Sequence, residues 1–146
     1  MITFQEATTM PANQVSTFVD AVLRRVAIEY AYMLLDGSQP REIADEALCM
    51  AATYLNNNAT NRELAIIKNL TLSATADLSN ERLLITGSAD NTAYKHIEAA
   101  AFACAPTGRE SVQLLIDEIT ENDDEDLAAW AANEFKTHLA NVLNKA

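Results

Sequence analysis

A chain of 146 residues, 49% hydrophobic but only 6% aromatic, has the size of one domain and enough apolar surface for one core. Twenty-one acidic against ten basic residues give a net charge of −11, which repels nucleic acid and anionic membranes and excludes a direct DNA or RNA binder. Met1 to Gln14 lacks a basic start followed by an apolar run, and nowhere do eighteen apolar residues follow one another, so the reading expects no signal peptide, no membrane span and a cytoplasmic protein.

The three glycines and three prolines punctuate the rest. Proline lacks the amide donor a helix interior needs, and glycine adopts the left-handed conformation that ends a helix. Gly37 with Pro40, Gly87, and Pro106 with Gly108 mark three breaks between long apolar-periodic segments, and Pro11 stands near the start of the first. The pattern predicts an all-α protein, a single-domain bundle of six to seven helices.

The first helix is expected from about Pro11 to Leu35, with Val15, Phe18, Val19, Val22, Leu23, Val26, Tyr30, Met33 and Leu34 on its apolar stripe. Arg24 and Arg25 read as its polar side, making turn-to-turn ion pairs with Asp20 and Glu29. A second helix restarts at Pro40 and buries Ile43, Ala47, Met50, Ala51 and Tyr54 before stopping in Asn56-Asn57-Asn58. Thr60 with Glu63 forms a capping box that opens a third helix, expected through about Ala74. Asp77 to Gly87 then reads as a separate short helix capped by Ser79, with an extended Leu83-Leu84-Ile85-Thr86 as the alternative. A fifth helix carries a small-residue face of Ala93, Ala100, Ala101 and Cys104 around Ile97. After Pro106, a second capping box of Thr107 and Glu110 opens a sixth helix with Val112, Leu115, Ile116 and Ile119 inward. The last helix, from about Asp124 to Leu143, has the stripe Leu127, Trp130, Ala131, Phe135, His138, Leu139 and Val142.

Motifs that carry chemistry are sparse. There is no glycine-rich phosphate loop, no Gly-x-Ser-x-Gly elbow, no His-Glu-x-x-His and no Cys-x-x-Cys. Cys49 and Cys104 read as small buried hydrophobes in a reducing compartment, and His138 as a core histidine. Glu42-Ile43-Ala44-Asp45 resembles the second carboxylate element of all-α nucleotide pyrophosphohydrolases. The preceding Glu-x-x-Glu is missing from the first helix, and Glu118-Ile119-Thr120-Glu121 comes too late, so the family is not claimed. An EF-hand frame from Asn122 fails because Leu127 stands where glycine is required and Asn133 where glutamate is. No cofactor and no metal site is expected.

The densest signal is acidic. Asp117, Glu118, Glu121, Asp123, Asp124, Glu125 and Asp126 place seven carboxylates in ten residues. Read plainly, they line a solvated turn and favour the positive end of the last helix's dipole. Read functionally, they form an anionic surface for a basic protein partner, extended by Asp20, Glu29, Glu42, Asp45 and Glu46. The leading expectation is a non-catalytic protein that binds another protein, such as an inhibitor, immunity or antidefence factor. Self-association through the alanine-rich fifth helix or the long first helix, giving a homodimer, is the second, and a carboxylate-and-metal hydrolase the third.

Overall fold

The computed structural model describes residues 17–35, 37, 41–87, 94–120, 133–137 and 139–141, and every regular element among them is helical. In chain order these are α1 (Thr17–Leu35), α2 (Glu42–Leu55), α3 (Asn61–Thr86), α4 (Lys95–Phe102) and α5 (Gly108–Thr120). Residues 133–137 and 139–141 are helical too, and they bring Phe135 and Leu139 into the core. The all-α expectation holds. Val15, Pro40, Ala93, Trp130, His138 and the acids from Glu121 to Asp126 lie outside the described residues.

The described helices are organised around the eight-residue α4. α4 packs against α1, α2, α3 and α5 alike. Ala99, Ala100 and Ala101, with Ala103 and Ala105 just after it, are buried, and their single methyl groups let four helices approach one axis. Of the expected small-residue face, Ala100, Ala101 and Cys104 are thus buried within the chain itself.

α1 supplies the largest share of the core. Val22, Leu23, Val26, Ala27, Ile28, Tyr30, Ala31 and Leu35 are buried, and Tyr30 meets Phe135 edge to face at 4.6 Å between ring centres. The expected stripe is displaced at its C-terminal end, where Met33 and Leu34 are exposed and Ala31 and Leu35 face inward. α2 turns similarly. Ala44 and Leu48 join Ala47 and Ala51 inside, while Ile43, Met50 and Tyr54 pack at the margin of the core.

α3 corrects the sequence reading most clearly. Thr60 Oγ1 accepts from the Glu63 amide and the Thr60 amide donates to Glu63 Oε1, both at 3.1 Å, so the predicted capping box forms. No break follows at Ala74. The helix runs on to Gly87, whose φ of 72° closes it in the left-handed conformation. Apolar periodicity fades after Thr75, but neither glycine nor proline interrupts residues 61–86, so nothing local stops the hydrogen-bond ladder. The buried hydroxyls of Thr71 and Thr75 donate to the carbonyls of Ile67 and Thr71 at 2.6 and 3.0 Å. A helix of 26 residues is about 39 Å long. Its last turns leave Leu83, Leu84 and Ile85 exposed, Leu84 at 87% and Ile85 at 76%.

Candidate functional site

α5 begins against α1, and the contact is unusually close. A Cβ built on Gly108 would lie 2.0 Å from the Asp20 carbonyl oxygen and 2.7 Å from the Arg24 nitrogen, so only a hydrogen atom fits between the two backbones. That approach brings the Asp20 carboxylate onto the start of α5. The amides of Gly108 and Arg109 donate to its two oxygens at 3.0 and 3.2 Å, while the Glu110 amide donates to Thr107 Oγ1 at 3.1 Å. The predicted threonine cap is therefore present, and a carboxylate from 88 residues upstream caps two further amides beside it. Asp20 is thus built into the α1–α5 junction and does not extend an acidic outer surface.

One turn further along α1, Arg24 departs from the expected ion-pair face. It is 1% exposed. Nη1 donates to the Ala103 carbonyl at 2.8 Å, and the guanidinium lies 4.8 Å from the centre of the Tyr54 ring. Burial lowers its affinity for the proton, and the Asp20 carboxylate is the strongest of the opposing influences. An arginine stays charged under such pressure, so α1 carries a desolvated cation that ties the turn after α4 to the end of α2. Among the described residues Nη2 finds no hydrogen-bond acceptor.

Arg24 also forms part of the wall of an open cleft of about 560 Å³ between the first turns of α1 and the α2–α3 connection. Ala21, Tyr54, Leu55 and Ala59 give it apolar surface, and Asp20, Asn57 and Asn61 give it polar groups. The Tyr54 hydroxyl donates to Asn61 Oδ1 at 2.6 Å, which holds the ring beneath the guanidinium. Asn57, at φ 61°, makes the left-handed turn that brings α3 back alongside α2, a conformation asparagine tolerates.

A second charged cluster joins α4 to α5. Lys95 bridges Glu98, at 3.8 Å, and Glu118. Burial pushes the Glu98 carboxyl up to about 7, helped by its hydrogen bond with Glu118 and by that neighbour's charge, against the pull of Lys95. Glu118, the second member of the acidic run, is therefore half-buried in this cluster. Asp117 is exposed and accepts from Gln113 Nε2 at 3.0 Å. Glu121, Asp123, Asp124, Glu125 and Asp126 lie outside the described residues.

The remaining chemical groups are dispersed. Asp45, part of the hydrolase-like tetrapeptide, pairs with Arg41 at 3.1 Å on the surface. Among the described residues no three His, Cys, Asp or Glu side chains are grouped to hold a metal ion. Both cysteines are free thiols, but only Cys104 is buried as expected. Its Sγ donates to the Ala47 carbonyl at 3.1 Å, and burial pushes the thiol up to about 12. Cys49 lies on the outer side of α2, exposed.

Sequence reading missed Arg24, although a signal was present. Ala27, Ile28 and Ala31 follow it at the spacing of one helical face, so its side belongs to the apolar stripe. Among the described residues no helix is long and apolar enough to cross a membrane. The chain matches no protein-family profile, and neither the curated proteins nor the solved structures include a significant match to it.

Proposed function

We propose that this chain is a non-catalytic, cytoplasmic binding protein that docks on a basic protein surface, in the manner of an inhibitor, immunity or antidefence factor. The observation that carries the reading is the end of α3, where Leu83, Leu84 and Ile85 expose three consecutive large apolar side chains. Contiguous exposed apolar surface marks interaction sites in soluble proteins. Net charge sets the kind of partner. At −11, two copies of the chain repel each other, whereas a basic surface is attracted over the Debye length of about 8 Å at physiological salt.

The division of labour follows from those two properties. Carboxylates from Asp117 to Asp126 steer and orient the partner, and the apolar end of α3 holds it once docked. Glu118 contributes less than its neighbours because Lys95 already balances its charge. Eight residues join the end of α3 to the start of α4, where Lys95 also meets the C-terminal part of α5.

Affinity capture from a host lysate at low and high salt, with the retained protein identified and purified, supplies the partner for a direct test. Replacing Asp123, Asp124, Glu125 and Asp126 together by lysine should lower the association rate at least roughly tenfold and flatten its salt dependence. Leu84→Glu should instead speed dissociation. Unchanged rates and salt dependence in both variants would sink the proposal.

A further inference from the structure

We propose that the outward face of α3 seats a basic amphipathic helix of a partner protein, a reading that deepens the docking role proposed above and rests on it. α3 packs one side against α2 and α4, where Leu64, Thr71 and Thr75 are buried. Its opposite side is exposed. Ile66, Leu70, Ser73, Asp77, Glu81 and Leu84 follow one another at intervals of three or four residues, and all six are exposed, so they form one row along the helix surface. From Ile66 to Leu84 the row is about 27 Å long.

The chemistry of the row selects its occupant. Large apolar side chains stand at both ends, Ile66 at 49% and Leu70 at 60% exposure towards one, Leu84 at 87% at the other. Ser73 between them is small, which lets a second helix come close at the middle. Asp77 and Glu81 lie one turn apart and repel each other, and neither enters a salt bridge among the described residues. No lysine or arginine stands three or four residues from either in the direction of the helix end or start. A cation from outside therefore relieves a repulsion that α3 does not relieve itself. A second copy of the chain would instead bring its own Asp77 and Glu81 and a net charge of −11, and an anionic membrane has the same sign. A helix with apolar residues at the same three-and-four interval matches the row turn for turn, and lysine or arginine flanking that stripe meets the two carboxylates.

The full chain, labelled with nitrogen-15, is titrated with a peptide made of three repeats of Leu-Ala-Ala-Leu-Lys-Ala-Lys. Its counterpart with glutamate for lysine, and a scrambled lysine peptide without the apolar stripe, serve as comparisons. Saturable shifts of the amides along the row, with the peptide helical when bound, are expected for the unscrambled lysine peptide alone. Asp77→Lys together with Glu81→Lys should weaken that peptide roughly tenfold or more and admit the glutamate one. Leu70→Ser, at an exposed position, should weaken it while leaving helix content intact. Absence of saturable shifts on α3 up to about 1 mM overturns the proposal. So does equal binding of the scrambled peptide, or an affinity indifferent to the charge reversal. Failure of the docking role itself reads differently. A captured partner whose rates respond to Leu84→Glu and to the Asp123 to Asp126 reversal, but not to Leu70→Ser or the Asp77 and Glu81 reversal, removes the helix seat and leaves that role standing. Rates unchanged in the first two variants remove both.

Discussion

The α1–α5 junction and the last turns of α3 distribute polarity in opposite ways. At the junction Arg24 is buried to 1% exposure, Gly108 admits no side chain against the backbone of α1, and Asp20 and Arg24 Nη1 tie α1 to the start of α5 and to the turn after α4. At the end of α3 the large apolar side chains of Leu83, Leu84 and Ile85 are exposed. The junction keeps charge inside because each partner comes from a different element, so the interactions fix how those elements meet. The α3 end exposes apolar surface at a place where the fold loses little by it, which is where a partner can be accommodated.

That contrast is broken most severely at Gly108. Gly108→Ala forces a methyl group into the space of the Asp20 backbone, and we expect a loss of about 4 kcal/mol or more, read as a collapse of Tm or failure to fold. A Tm within a few degrees of the parent would show that the helices can separate without penalty. Arg24→Met comes next. It removes the donor to Ala103 and the cation over Tyr54, and leaves Asp20 with the α5 amides alone, for an expected loss of about 3 kcal/mol in urea unfolding. If Arg24→Met proved neutral, the buried cation would not be a tie, and the comparison would lose one side.

The Glu98 cluster makes a smaller prediction with a definite sign. A carboxyl held at about 7 when folded and near 4.5 when unfolded binds more protons in the native state between those values, so its contribution to stability is complete below about 4.5 and fades as the pH rises through about 7. Glu98→Gln should therefore match the parent near pH 4.5 and exceed it in Tm above about 7. Parallel Tm profiles for the two proteins would contradict this. The smallest effect on stability is expected at Leu84, where replacement by glutamate at an 87% exposed site should change stability by no more than about 0.5 kcal/mol. A larger loss in chemical denaturation would mean that the α3 end supports the fold rather than a partner.

The helices were legible because their boundaries are local. Gly87 and the Thr60–Glu63 capping box act within a few residues, and each does in the structure what its chemistry dictates. The continuity of α3 through Ala74 was harder, since fading apolar periodicity looks like an end although no residue there terminates the backbone ladder. Arg24 could not be placed by residue type. Its acceptor lies 79 residues away in sequence, and the amides capped by Asp20 lie 88 and 89 away. Cys49 and Cys104 make the same point. Each follows a hydrophobic helical run, yet only the second faces the point where the helices converge.

The alanine-walled α4 has a consequence for the order in which the molecule is made. A chain emerging from the ribosome presents α1, α2 and α3 before the short helix on which all three close. Those early segments can form local hairpins but have no common centre until the residues beyond Lys95 appear. Final consolidation is thus deferred to the last third of synthesis. Through that interval the apolar inner faces of the early helices must be shielded by one another or by whatever attends the growing chain.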